Sequence, residues 1–592
     1  MKAHVLQAKL AATRSLGLSL ALAALLTASD TGASELPPPN LLLLVAEDLS
    51  SRIGAFGDPV AVTPNLDALA AEGVRYPNTF TSAGVCAPSR AALITGVHQI
   101  SIGGQHMRTL SRPEGRYTAV PPPDVKAFPE LLRAAGYFTF VTEKLDYQFS
   151  DSPFPGSGPF TIWDEEFGGV FGFDGDADVP AWRGRSPGQP FFGMMNFDVT
   201  HESGVFRPLG TWPHSVMHFV MQLVRARAYG LSPEPGPVLP EDVLLPPYYP
   251  DTPLVREDLA RFYNNIHTMD RQVGELLVQL EADGLADSTV VIWTTDHGDG
   301  LPRAKRELYD SGLQVPMIIR WPEAYRPADV QPGDVDARLV SFVDLAPTLL
   351  SLAGAEVPGF VHGRKLAVLG GEPRQYVYAS RDRIDEVPDR QRAIRDGRFK
   401  LIRSYQPEQP GGHRLGFRDN QEIMRELWRL KQAGELDAAQ RLWFEPPGEE
   451  RLFDLHADPF ELDDVSDSPA YAADLARMRA ALDAWLERIE DWSEVPESEL
   501  VARFWPDGQQ PVTATPELRI EAGQLQLRAV SPGSSLGYRI DDGAWQLYTG
   551  PFALPEGATA TAKAVRYGWA ESEERSIGGN IPADSRSPSP RH

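Results

Sequence analysis

The sequence predicts an α/β fold: a mostly parallel sheet flanked by helices, with a β-sandwich appended at the carboxyl end. Three observations support it. Short continuous apolar runs, as at residues 40–46 and 288–295, suit strands buried on both faces of a sheet. Stretches with helical spacing lie between such runs, most clearly at residues 257–283. From about residue 511 the texture changes to short alternating strands around Gly and Pro turns.

The chain has 592 residues, room for roughly two to four domains. Its 81 acidic residues against 56 Lys and Arg give a net charge of −25. That balance argues against a broad basic footprint for nucleic acid. An anionic ligand would need local positive charge at its site. Residues 1–33 read as a secretory signal, with Lys2, Lys9 and Arg14 ahead of the apolar run 16–28. Thr31-Gly32-Ala33 supplies small residues for cleavage. The run falls short of the ~20 residues of a spanning helix, and the alternative is an uncleaved anchor. No other stretch reads as transmembrane, so the mature chain is expected to be secreted or periplasmic. The single cysteine, Cys86, excludes an intramolecular disulfide.

In chain order, residues 37–39 form a Pro linker and the first strand ends in Glu47-Asp48. Carboxylates at the carboxyl end of a central strand sit where open α/β sheets place ligands; the plain alternative is a solvated turn. Residues 64–73 suit a short helix closed by Gly73. Val74-Arg75-Tyr76 then leads through a loop to Cys86. Helical spacing from Ser89 to Gly96 places Cys86 at a helix start, where free N–H groups and the dipole favour an anion. Residues 128–141 read as helix, cap and strand, running into Glu143-Lys144-Leu145-Asp146-Tyr147. Residues 189–197 are another buried strand, ending near His201. Residues 203–254, Pro-rich with a short helix around 214–228, read as a lid or insertion. The stripe Phe262, Ile266, Met269, Val273, Leu276 and Leu280 is core. Strand 288–295 runs into Asp296-His297-Gly298-Asp299, and Lys305 follows. The two acid-bearing strand ends offer hard oxygen ligands, which suit Ca²⁺ or Mg²⁺ better than zinc. In the last module Trp545 and Trp569 either stack on sugars or pack into its core. Residues 577–592 are expected to be a disordered tail.

The stretch Val85-Cys86-Ala87-Pro88-Ser89-Arg90-Ala91-Ala92-Leu93-Ile94-Thr95-Gly96 resembles the type I sulfatase signature, Cys-x-Pro-Ser-Arg followed by Leu-x-Thr-Gly. The resemblance extends over roughly residues 38–465. It implies the alkaline phosphatase-like fold: a mixed, mostly parallel sheet (38–375) and a smaller C-terminal α+β subdomain (376–505), ahead of the β-sandwich (511–576). The nearest branch is the N-sulfoglucosamine sulfohydrolase-like bacterial sulfatases. In the family the cysteine is oxidised to formylglycine, whose hydrate is the nucleophile, so a formylglycine-generating enzyme is an implied maturation partner. The resemblance gives catalytic roles to Cys86, Arg90, Lys144, His201 and Lys305. It gives metal contacts to Glu47, Asp48, Cys86, Asp296 and His297, around Ca²⁺ or alternatively Mg²⁺. Substrate contacts fall to His106, Arg381 and Arg383, the two arginines otherwise forming surface ion pairs. Two positions depart from the family pattern: Glu47 stands where Asp is usual, and Asp146 where a His is usual.

The implied activity is hydrolysis of O- or N-linked sulfate from a sulfated sugar. Residues 144–147 and Arg381-Asp382-Arg383 motivate a lean toward heparan-type glucosamine N-sulfate. The alternatives are a phosphonate monoester or phosphodiester hydrolase of the same superfamily, and a non-catalytic exported glycan-binding protein.

Overall fold

Eight strands form the central sheet of the computed structural model, which describes residues 36–152, 156–168, 181–230 and 236–578. They are β1 (Asn40–Ala46), β2 (Val74–Phe80), β3 (Phe138–Thr142), β4 (Glu165–Phe167), β5 (Phe191–Phe197), β6 (Thr289–Thr295), β7 (Gln314–Arg320) and β8 (Val340–Ser341). Their order is β4-β3-β5-β1-β6-β7-β2-β8. Only β7 runs against its neighbours, pairing antiparallel with both β6 and β2. The secretory segment 1–33 and nearly all of the expected tail lie outside the described residues; Ile577 and Gly578 instead end a strand.

The apolar run of β1 follows from its place in the middle of the sheet. Leu41, Leu43 and Val45 enter one core cluster, and Leu42, Leu44 and Ala46 enter the cluster on the opposite face. Side chains alternate across a strand, so a strand covered on both faces must be apolar at every position. Around the sheet lie α1 (Pro64–Glu72), α2 (Cys86–Thr95), α3 (Phe128–Ala134), α4 (Val216–Tyr229), α5 (Pro253–Ala282) and α6 (Leu345–Leu352). The stripe Phe262, Ile266, Met269, Val273, Leu276 and Leu280 of α5 is buried in the cluster of Leu42, Leu44 and Ala46.

A second sheet, β9 (Val377–Arg381), β10 (Gln391–Arg395), β11 (Phe399–Ser404) and β12 (Glu450–Asp454), is wholly antiparallel. Helix Ala472–Arg488 packs on it through Leu475, Met478, Leu482 and Trp485. After it come β13 (Glu517–Glu521), β14 (Gln524–Arg528), β15 (Ser535–Ile540), β16 (Gln546–Leu547), β17 (Phe552–Ala553), β18 (Thr559–Val565) and β19 (Arg575–Gly578). These form a three-stranded and a four-stranded sheet around Leu525, Leu527, Ala560 and Ala562.

This last module does not stand apart, since the described residues from Pro39 to Gly578 belong to one compact unit. Tyr567 is fully buried, stacks on Phe149 at 5.0 Å and donates its hydroxyl to Glu130 at 2.8 Å. Glu130 also accepts from Ser535 at 2.6 Å. Trp545 lies edge-on to Phe160 at 5.4 Å, which favours the packing alternative for that ring.

Candidate active site

Five strands of the central sheet deliver their carboxyl ends to one edge. β1 and β6 are paired in parallel with Ala46 opposite Thr295, so Glu47-Asp48 and Asp296-His297 leave adjacent strands together. β5 leads to His201, β3 to Lys144, and β2 through a loop to Cys86. This edge is where open α/β sheets gather ligands.

Cys86 is the first residue of α2 and is 1% exposed. Its Sγ lies 3.3 Å from His297 Nε2 and 3.7 Å from Asp48 Oδ1. Asp48 has a positive φ of 55°, a backbone state unusual for a non-glycine residue. Its Oδ1 is 2.9 Å from His297 Nε2, and its Oδ2 accepts from Lys305 Nζ and from the Glu202 N–H, both at 2.6 Å. The Asp48 N–H donates to Asp296 Oδ1 at 3.0 Å, tying the two strand ends together.

Arg90, one turn into α2, is wholly buried. It donates Nε to Asp296 Oδ2 at 3.1 Å and Nη1 to Asn196 Oδ1 at 2.6 Å, while Nη2 stands 3.5 Å from Glu47 Oε1. Lys144 Nζ donates to Glu47 Oε2 at 2.9 Å. Lys305 Nζ reaches Glu202 Oε1 at 3.1 Å, and Arg306 holds Glu202 by two bonds at 2.8 and 2.9 Å. His201 Nδ1 is 2.9 Å from Ser203 Oγ, and its ring meets Phe417 edge-on at 6.1 Å.

The electrostatics follow from buried charges of both signs. Burial alone would raise the Cys86 thiol, but Lys144 and Lys305 outweigh it and bring its pKa down to about 6. Burial opposes the charge on His297, yet Asp296 and Asp48 raise its pKa to about 10. Asp296 falls to about 2 against its burial because His297 and Arg90 adjoin it. Glu47 moves up, burial prevailing over Lys144 and Arg90. His201 moves down through burial and the nearby Lys305.

A divalent cation fits this donor set. Ligand atoms of Asp48, Cys86, Asp296 and His297 all lie within 4.8 Å of one another, and Glu47, Asp48 and His201 form a second such group. Glu47 Oε1 is buried with Arg90 Nη2 at 3.5 Å but no hydrogen-bond partner, which leaves it an acceptor for a cation. Mostly carboxylate oxygens suit a hard cation.

The structure thus brings together Cys86, Arg90, Lys144, His201, Lys305, Glu47, Asp48, Asp296 and His297. The three expected sugar contacts have other partners or none. Arg381 is 4% exposed and is paired with Glu307 and Asp389. Arg383 is held by Glu497 at 2.6 and 2.8 Å and by the Met107 carbonyl at 2.8 Å. Both therefore make ion pairs, as the alternative reading had it, but buried rather than surface ones. His106 is buried with neither ring nitrogen hydrogen-bonded. Among the described residues, no hydrogen bond or ion pair joins any of the three to the Cys86 cluster. Asp146 likewise makes no hydrogen bond or ion pair, and burial raises its pKa. Sequence reasoning missed Asn196, Glu202 and Arg306. The last two directly follow His201 and Lys305, and that adjacency was the available signal.

Comparisons with known proteins agree with this geometry. The Sulfatase family model matches residues 39–355, and a model described as N-sulphoglucosamine sulphohydrolase, C-terminal, matches residues 303–427. An ulvan-active sulfatase of Formosa agariphila is 41% identical over 90% of this chain and 90% of its own length. The human N-sulphoglucosamine sulphohydrolase is 27% identical over 80% of this chain and 95% of its own. Among solved structures, that of a Bacteroides thetaiotaomicron protein shares the fold with a TM-score of 0.53, at 21% identity over 78% of this chain and 94% of that one.

Proposed function

The chain belongs to the sulfatase family, and from that premise we propose that it removes sulfate from a polysaccharide at the Cys86 cluster, with Cys86 carried as formylglycine. The observation that carries this reading is the place of Cys86. It opens a helix, touches Asp48 and His297, and has Lys144 and Lys305 close enough to lower its pKa to about 6.

Formylglycine at this position would supply a hydroxyl nucleophile toward sulfur. A Ca²⁺ or Mg²⁺ held by Glu47, Asp48, Asp296 and His297 would supply Lewis acidity toward the sulfate oxygens. The remaining work belongs to the chain's own side chains. Arg90, Lys144 and Lys305 present fixed positive charge to an anion docking over the α2 amino end. Asp296 and Glu47 hold Arg90 in place, and Asp48 with Glu202 holds Lys305. His201, oriented by Ser203, is positioned to move a proton at the leaving oxygen.

For the substrate, the relative at 41% identity is an ulvan-active sulfatase, which supports ulvan or a similar sulfated polysaccharide. The match of residues 303–427 to a sulphohydrolase C-terminal model supports a second reading, glucosamine N-sulfate. The expected secretory segment at residues 1–33 supports a reaction outside the cytoplasm.

Two measurements test this. Mass spectrometry of the Cys86 peptide from the native host should show the aldehyde, and free-sulfate detection should report release from ulvan oligosaccharides or glucosamine N-sulfate. Chelation should stop release and Ca²⁺ should restore it. An unmodified thiol, or hydrolysis of phosphonate monoesters with no sulfate release from any sugar, would overturn the proposal.

A further inference from the structure

The loop after β3 carries a second charged side chain, Asp146, toward the Cys86 cluster. Leu145 and Tyr147 are 1% and 0% exposed and enter the same core cluster. The Tyr147 N–H donates to the Leu145 carbonyl at 3.1 Å, a γ-turn with Asp146 at its apex. With both neighbours turned into the core, the apex side chain turns the other way, to the side on which Lys144 Nζ meets Glu47. Asp146 is half-buried there. Burial acts most strongly on its carboxyl and raises its pKa; the charges that act next are Lys144, Arg90, Arg108 and Asp296, and three of these belong to the Cys86 cluster.

The acids of that cluster each have a partner. Glu47 is met by Lys144 and Arg90, Asp48 by Lys305 and His297, Asp296 by Arg90, and Glu202 by Arg306 and Lys305. Asp146 has no ion pair and no hydrogen bond among the described residues. The cations that act on it are committed elsewhere: Lys144 to Glu47, Arg90 to Asp296 and Asn196, and Arg108 to Asp385 at 2.6 Å. A half-buried carboxylate without a donor is costly, and one that faces an anion site opposes the anion. A ligand removes that cost by bringing a donor of its own, and a sugar hydroxyl is one. A second sulfate or a carboxylate in the same place meets a like charge instead. Setting an unpaired charge against the wrong partner is one way a site rejects it.

We propose that Asp146 is a specificity-determining residue: it accepts a hydrogen bond from a hydroxyl beside the sulfate that is removed, and it rejects a substrate with a second anionic group in that place. The inference rests on the sulfatase reading above and narrows its substrate class to a sulfate flanked by a free hydroxyl.

The test is calorimetric titration of the full chain with Ca²⁺ present and with Cys86→Ala to stop turnover. The ligands are phenyl sulfate, 2-hydroxyphenyl sulfate and 2-carboxyphenyl sulfate, which differ only in the group beside the sulfate, with inorganic sulfate as the reference. With Asp146 in place, the hydroxyl compound should bind roughly tenfold tighter than phenyl sulfate. The carboxyl compound should bind roughly tenfold weaker. Asp146→Ala should bring the three esters within about threefold of one another. Asp146→Asn keeps the size of the side chain and should lift the penalty on the carboxyl compound. A purely structural role would weaken all four ligands together. That result, equal binding of the three esters by the parent chain, or an order unchanged in both variants overturns the proposal. Failure of the sulfatase reading would look different and overturn both: neither inorganic sulfate nor phenyl sulfate would bind at all.

Discussion

Replacing Lys305 with Met separates the two roles of the lysine, since Met keeps the length of the side chain and removes its charge. Lys305 is 2% exposed, with Nζ 2.6 Å from Asp48 Oδ2 and 3.1 Å from Glu202 Oε1. Breaking a buried ion pair from one side usually costs 3–5 kcal/mol, because a charge is left uncompensated. Here the loss is cushioned. Asp48 keeps the His297 ring at 2.9 Å and the Glu202 N–H at 2.6 Å, and Glu202 keeps both bonds from Arg306. The low end of the range, about 3 kcal/mol, is the expected destabilisation. For catalysis Lys305 is one of several fixed charges facing the sulfate, and removing one such group costs about 10²–10³ in rate. The assays are thermal unfolding and kcat/KM for sulfate release, both on protein whose formylglycine content has been measured. Lys305→Met should lower the unfolding midpoint yet remain folded at the assay temperature, with kcat/KM down by two to three orders of magnitude. A kcat/KM within about threefold of the wild type would refute the assignment. An unchanged midpoint would refute the buried ion network.

Two further outcomes test the frame around the site. Gly193 on β5 sits where an added Cβ would lie 2.2 Å from the Phe140 ring, so Gly193→Ala should destabilise by about 1–3 kcal/mol, and adding Phe140→Leu should recover part of the loss in a thermal melt. Burial alone would raise the Glu497 carboxyl, but Arg383, His106 and Tyr117 bring it to about 2 from an ordinary 4.5. Because the folded pKa is the lower one, this stabilisation is complete above about pH 4.5 and is lost as pH falls toward 2. Glu497→Gln should therefore melt below the wild type at pH 6, with the gap closing toward pH 2; a gap independent of pH would refute the pairing.

Much of the frame was readable because its signals are local. β1 is apolar at every position after Asn40 since it has a core on each face, and α5 shows its stripe because one side meets that core. β2 was not readable. Val74-Arg75-Tyr76-Pro77-Asn78-Thr79-Phe80 carries a proline and a register shift between Tyr76 and Thr79, and a run so interrupted looks like a loop. The same contrast holds for the site. Cys86, Arg90 and the acids at the ends of β1 and β6 lie in recognisable strings. Glu202, Arg306 and Asn196 owe their roles to partners from distant segments, as when Arg90 meets Asn196 across 106 positions. Two arginines around an aspartate look the same in a string whether they face a ligand or, as Arg381 and Arg383 do, pair with Glu307, Asp389 and Glu497.

The contact between Tyr567 and the body of the protein bears on the order of assembly. Leu145, Tyr147 and Phe149 follow Lys144 directly and share a core cluster with Tyr567. Glu130 receives the Tyr567 hydroxyl across 437 positions of chain. Chains are made amino end first. The wall behind the Lys144 loop therefore gains one of its packing partners, Tyr567, only after almost the whole chain has been made.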